Sequence, residues 1–230
     1  MRISCRMSLA VGVTLLTLMP LPSMATENEV KLPKPAYSGK LSFEASVVRK
    51  HSVREFSRLP LTLAEASQVL WAANGNLPAD AVTGATTKVI PSAGALYPLE
   101  VFLVCGQNTV GKLPAGVYRY NAQGNSLQSV ATGDKRNLVA YAAHHQLFLA
   151  QAPALIVIAA VFQRTMAKYG DRGVQYVYMD AGAANQNVFL QAESLGLHVA
   201  AVGAFVDPQV AGALKLPADV KPIMICAIGK

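Results

Sequence analysis

The stretch that most constrains the fold runs from Val174 to Leu195. Val177, Ala181, Ala184, Val188, Ala192 and Leu195 recur at steps of four, three, four, four and three. A helix over these residues carries one continuous apolar face. A face of that length has to be covered, which places the helix in the core of a sizeable domain. Ala181, Gly182, Ala183 and Ala184 admit close approach of a second backbone, and the amides of Asn185, Gln186 and Asn187 need partners wherever they are buried. Gly196 terminates the helix. Leu197 to Val202 then reads as a buried strand running into the small pair Gly203–Ala204. Upstream, Phe162 to Tyr169 predicts a second helix, which sets Lys168 and Tyr169 directly before the core helix.

Arg2 and Arg6 precede an apolar run from Met7 to Met19, broken by Pro20 and Pro22 and followed by Ser23-Met24-Ala25. That is the pattern of a secretory signal cleaved after Ala25, with an apolar run too short to span a bilayer; the competing reading is an uncleaved anchor. The expectation is export to the periplasm or medium, without stable membrane insertion after cleavage. Residues 26–41 are polar and carry Pro33 and Pro35, as in a linker or an arm laid over a neighbour. Residues 42–230 read as one domain, a length that supports a full core. The chain has 20 Lys and Arg against 13 Asp and Glu, a net charge of +7, and the signal would remove two of the arginines. The surplus is dispersed, which suits anionic small ligands and argues against a nucleic-acid partner. Cys105 and Cys226 sit inside apolar strand-like runs; they read as core thiols, although two cysteines in an exported protein can pair. His51, His144, His145 and His198 have no metal-ligand spacing, so no metal is expected.

Two further segments carry candidate chemistry. In Arg49 to Phe56, Lys50, Ser52 and Arg54 alternate, so on an extended segment they point the same way. Two cations and a hydroxyl on one side make a phosphate grip; the bland alternative is an exposed basic turn. Pro91 to Glu100 places Ser92, Ala93, Gly94 and Ala95 in a row, where backbone can lie flat against a planar ligand. The remaining chain predicts a helix over Ser42–Arg49 with Phe43, Val47 and Val48 inward. A second helix follows Thr62, capped by a T-x-x-E box with Glu65. A long loop spans Asn74–Lys88. Strands are expected at Leu99–Cys105, Gly116–Asn121, Ser126–Val130, Ala154–Val161 and Ile223–Ile228, with helices over Lys135–Ala143 and from Asp207. Strands and helices do not alternate regularly and no G-x-G-x-x-G follows a strand. The fold class is therefore α+β and not a dinucleotide-binding doubly wound sheet.

Six ordered segments resemble the nitroreductase family of FMN proteins, and within it the SagB/ThcOx branch of azoline dehydrogenases. They are Arg49–Phe56, Pro91–Glu100, K-Y-x-x-R-G at Lys168–Gly173, D-A-G-A-A-x-Q-N at Asp180–Asn187, L-G-L at Leu195–Leu197 and V-G-A-F at Val202–Phe205. The resemblance implies a four- or five-stranded, antiparallel-dominated sheet wrapped by helices, in a homodimer with FMN at the subunit interface. It implies that Lys50, Ser52 and Arg54 hold the FMN phosphate and ribityl chain. Ser92, Ala93 and Gly94 would approach the ring from the partner, with Val202, Gly203 and Ala204 against the other face. Lys168 and Tyr169 would be the catalytic pair that abstracts a proton while hydride passes to flavin N5. Two departures stand out: Ala183 replaces a histidine common in the branch, and Lys230 stands where many members continue as a basic tail. The implied function is that of an exported FMN-dependent oxidoreductase acting on an azoline-like or other small or peptidic substrate, with an electron partner the sequence does not name. A non-catalytic flavin or planar-ligand binder and a nitro or quinone reductase are the alternatives.

Overall fold

The computed structural model describes residues 29–79 and 86–230. The expected signal segment lies outside the described residues, as does the middle of the Asn74–Lys88 loop. The strands are β1 (Glu29–Lys31), β2 (Leu99–Cys105), β3 (Gly116–Asn121), β4 (Ser126–Thr132), β5 (Ala154–Ala160), β6 (His198–Val202) and β7 (Lys221–Gly229). The helices are α1 (Phe43–Arg49), α2 (Leu63–Asn74), α3 (Arg136–Ala142), α4 (Phe148–Gln151), α5 (Phe162–Tyr169), α6 (Arg172–Leu195) and α7 (Asp207–Leu214). One sheet has the order β1-β4-β3-β2-β5-β7-β6, and every neighbouring pair is antiparallel.

The sheet separates two apolar layers. Leu103, Cys105, Ile156, Ile158 and Cys226 face α2 and α6, while Phe102, Val104, Leu155, Val157, Ile225 and Ala227 face α3, α4 and α7. Adjacent residues of one strand go to opposite layers, as the period of two requires. All seven residues of β5 are buried, which is why its sequence is an unbroken apolar run. On α6, Val177, Ala181, Ala184, Val188 and Ala192 are buried in the first layer, and Leu195 packs against it. Cys105 and Cys226 are free thiols. Burial pushes Cys226 up to about 12 and Cys105 to about 11, and the Cys226 thiol donates to Asn185 Oδ1 at 3.3 Å.

Three expectations need correction. Among the described residues the sheet has seven strands and not four or five. Residues 29–41 are not a linker: β1 pairs with β4, and the arm then lies on α2 of its own chain. Gln68 there accepts from the Ala36 N–H at 2.8 Å and donates to the Ala36 carbonyl at 2.9 Å, and Ser67 donates to the Pro33 carbonyl at 2.7 Å. A three-residue strand is too short to show alternation in the sequence. Finally, α1 forms and is capped by Ser42, but its apolar residues do not face inward. Phe43 is 68% exposed and Val48 84%, and the buried residue of α1 is Ser46. Among the described residues, no helix is long and apolar enough to cross a membrane.

Candidate active site

The link between α5 and α6 fixes the Lys168–Tyr169 pair. Only Gly170 and Asp171 separate the two helices, and Gly173 packs directly on the α5 backbone: a Cβ there would lie 2.9 Å from Met166 Cα. That close approach holds the end of α5 against the start of α6. Lys168 Nζ sits 5.3 Å from the centre of the Tyr169 ring, within cation–π range. The Tyr169 ring meets Tyr176 edge-on at 5.1 Å.

Both side chains rest on the Ser92–Tyr97 loop. Ala93–Ala95 makes one 3-10 turn in which Gly94 has φ +61°. A Cβ at Gly94 would lie 2.7 Å from Tyr169 Oη and 3.0 Å from Lys168 Nζ, so the phenol and the ammonium occupy the space a side chain would fill. Ala95 (φ +55°) and Tyr97 (φ +45°) also lie in the left-handed region, which is uncommon for residues with a Cβ. Strain of this kind gathers at binding and catalytic sites. The loop is held from two sides. Ser92 Oγ accepts the Tyr97 N–H at 3.0 Å. Beneath it, the α6 residue Asp180 is buried, with Oδ2 unpartnered. Burial pushes the Asp180 carboxyl above its ordinary 3.8, opposed by hydrogen bonding from the Ser92 hydroxyl and the Ala93 N–H.

The basic segment lies at the far edge of the sheet. Val53 donates its N–H to the Val199 carbonyl at 2.9 Å, and Ser52 bridges Val199 in parallel, so Lys50 to Arg54 extends alongside β6. Lys50 Nζ lies 5.7 Å from the centre of the Phe189 ring and the Arg54 guanidinium 5.8 Å from that of Phe148. Neither makes an ion pair among the described residues. Ser52 and Arg54 are exposed. Three residues beyond Val199, β6 ends in Val202 and leads into exposed Gly203 and Ala204. Nothing lies within 4 Å of a Cβ placed on Gly203. The turn is anchored by the Val206 N–H on the Ala142 carbonyl at 2.9 Å. Lys230 is not part of this set: its ammonium pairs with Glu65 at 3.1 Å.

The structure thus gathers the sequence-predicted residues into two groups. Lys168, Tyr169, Ser92, Ala93 and Gly94 form one beside Asp180; Lys50, Ser52 and Arg54 run alongside β6, whose end carries Val202, Gly203 and Ala204. Asp180 and Phe189, over which Lys50 stands, are nine positions apart on α6, about 13.5 Å at the helical rise. Among the described residues, no hydrogen bond, ion pair or ring contact joins the two.

The family model described as "Nitroreductase family" matches residues 47–230, a span that includes both groups. The chain belongs to the nitroreductase family. A protein of Methanocaldococcus jannaschii named as a nitroreductase is 38% identical over 208 residues, covering 90% of this chain and 98% of that one. A nitroreductase structure from Ralstonia eutropha superposes with a TM-score of 0.75 at 28% identity, covering 93% of this chain and 94% of the other. The microcin B17-processing protein McbC of Escherichia coli is 29% identical over 150 residues, 64% of this chain and 55% of McbC. A chain of the microcin synthetase McbBCD complex, solved with truncated pro-MccB17 bound, superposes with a TM-score of 0.66 at 25% identity, covering 94% of this chain and 84% of that one. Its relatives thus include a microcin-processing protein, and as a nitroreductase-family member its class is oxidoreductase.

Two features of this nitroreductase-family site escaped sequence reasoning. Asp180 has a visible signal: a carboxylate adjoining a run of buried small residues must have a partner nearby. Glu100 likewise interrupts the apolar strand Leu99–Cys105, and it is buried between two arginines. Within one chain the Lys168 side chain is exposed.

Proposed function

We propose that this protein is an exported FMN-dependent oxidoreductase that works as a homodimer and dehydrogenates an azoline-like or related small or peptidic substrate. The observation that carries the reading is the Lys168–Tyr169 pair resting on the bare backbone of Gly94. An acid–base pair is thereby packed against a strained loop of small residues.

The residues present fit FMN. Lys50 and Arg54 are cations without carboxylate partners among the described residues, on the segment that carries Ser52, which suits a phosphate. Gly203 and Ala204 offer open backbone at the end of the adjacent strand. When bound, FMN supplies hydride transfer at its N5. The protein's part is to position the substrate and to take the proton from the atom next to the carbon that loses hydride. Lys168 Nζ and Tyr169 Oη are the candidate acceptors. The two electrons then need an acceptor, for which a quinone or dioxygen has the right chemistry.

Several features support the finer parts. Exposed Phe43 and Val48 on α1, and Tyr178 and Met179 on α6, suit a second copy of the chain as partner. No contact joins the two residue groups among the described residues, which suits a site completed across a twofold axis. The likeness to McbC, a microcin-processing protein, favours a peptidic substrate. Arg2, Arg6 and the apolar run to Met19 support export.

Purified protein is expected to be yellow, with FMN released on denaturation at about one per chain by absorbance and mass. Lys168→Ala and Tyr169→Phe should each slow substrate-dependent flavin reduction by roughly a hundredfold or more without loss of FMN. Colourless protein that does not take up FMN on reconstitution would end the proposal. Full activity in both variants would move it to simple nitro or quinone reduction.

A further inference from the structure

A second polar site lies one helical turn from the catalytic pair. Glu100 is buried on β2. Its Oε2 accepts from Arg119 Nε at 2.8 Å, and its Oε1 from Arg164 Nη2 at 2.6 Å. Beside them Lys88 donates to the Asn74 carbonyl at 3.0 Å and stands over the Tyr97 ring. Three cations surround one carboxylate. A buried glutamate needs a counter-charge, and a single arginine in good geometry provides it; here two arginines share the one carboxylate and Lys88 adds a third cation, so the cluster keeps a net surplus of two positive charges among the described residues. The groups border a cavity of about 390 Å³ lined by Asn74, Lys88, Tyr97, Arg119 and Arg164, among others. That volume is at the small end for ligand pockets.

Asn74 supplies a second, independent indication. It is 5% exposed. Its Nδ2 donates to the Leu99 carbonyl at 3.0 Å, which fixes the amide's orientation. Its Oδ1 is then a buried acceptor without a donor. Unsatisfied buried acceptors are costly, so the cavity asks for a ligand bearing an N–H as well as a negative charge.

We propose that this cavity binds the carboxylate end of an acylated amino acid or peptide, the surplus cations taking the carboxylate and Asn74 Oδ1 accepting the adjoining amide N–H. A free phosphate or simple carboxylate would answer the charge and leave Asn74 unsatisfied. Arg164 and Lys168 are four residues apart on α5 and so neighbour each other on its surface, and Tyr97 ends the loop that carries Gly94. A peptide anchored by its terminus here would extend toward the catalytic pair. That use as a substrate anchor rests on the function proposed above; binding itself does not.

Calorimetric titration of the purified full chain with N-acetyl-Ala-Ala and with its C-terminal amide tests the site. The acid is expected to bind and the amide to bind at least about tenfold more weakly, the worth of a charged hydrogen bond. Lys88→Gln, which leaves both arginines on Glu100, should weaken the acid by a similar factor. Arg164→Gln should do so as well, with the melting temperature checked because it also uncovers Glu100. Equal binding of acid and amide, unchanged binding in Lys88→Gln, no binding at all, or equally tight binding of inorganic phosphate would each overturn the proposal. Flavin absorbance of the same samples keeps the two readings apart. Colourless protein that binds the acid removes the flavin assignment alone, and yellow protein that does not bind it removes this one alone.

Discussion

Asp180 is the residue whose chemistry is set most plainly by its position. A carboxylate on the inner side of α6, capped by the Ser92 hydroxyl and the Ala93 N–H but with Oδ2 unpartnered, is ionised at a cost, and burial raises its pKa. The sign of the linkage follows. In the folded state the proton binds more tightly than in the unfolded chain, so the stability due to Asp180 is fully present below the ordinary 3.8. It is lost as pH rises through the elevated folded value. This opposes the usual salt-bridged aspartate, which stabilises on the alkaline side. Asp180→Asn mimics the protonated form and should gain on the wild type as pH rises from acid to neutral, by the denaturation midpoint at each pH. If the Ser92–Tyr97 loop depends on the charged form, the variant should instead lose FMN at neutral pH with its fold intact. A wild-type and mutant difference that does not change with pH would show that Asp180 is already satisfied.

At the scale of elements, two helices with the same kind of signal had opposite outcomes. The stripe on α6 was legible because it is long enough to demand a core, and the residues named by their spacing are the ones buried. The stripe on α1 is just as regular, yet Phe43 and Val48 are exposed. Periodicity says that a face is apolar and says nothing about which chain covers it. The basic segment could be read as a one-sided grip, but its place along β6 depends on a backbone hydrogen bond between residues far apart in sequence, Val53 and Val199. The ion cluster at Glu100 was invisible for the same reason, since Arg119 and Arg164 come from a neighbouring strand and a distant helix. The α5–α6 corner was readable only as K-Y-x-x-R-G, whereas the structure shows why a glycine stands at 173. Gly173→Ala forces a Cβ into the backbone of Met166 and should cost about 1–3 kcal/mol, seen as a lower melting temperature of about 2–4 °C per kcal/mol. Because Lys168 and Tyr169 ride on that corner, turnover should fall further than the loss of folded protein accounts for. A variant that melts and turns over like the wild type would mean that α5 slides freely and does not position the pair.

For the whole molecule, two residue groups without a contact between them meet the unpartnered apolar residues of α1 and α6. One chain offers cations and an open glycine corner in one group, and an acid–base pair on a loop of small residues in the other. If a second copy covers α1, each site gains what a single chain leaves out, including the desolvation that exposed Lys168 lacks. Val48→Glu separates this from a free surface. On a surface that meets only water, such a change should fall within about 0.5 kcal/mol and leave cofactor content unchanged. At a subunit interface it buries an unpaired carboxylate, so the protein should shift to monomer in sedimentation velocity and lose FMN in the same fractions. Added FMN should in turn draw wild-type chains toward dimer, since a ligand held between two copies stabilises their association by mass action. Monomeric wild-type protein that keeps its flavin upon dilution would show that one chain suffices, and that the apolar face of α1 serves something other than its own twin.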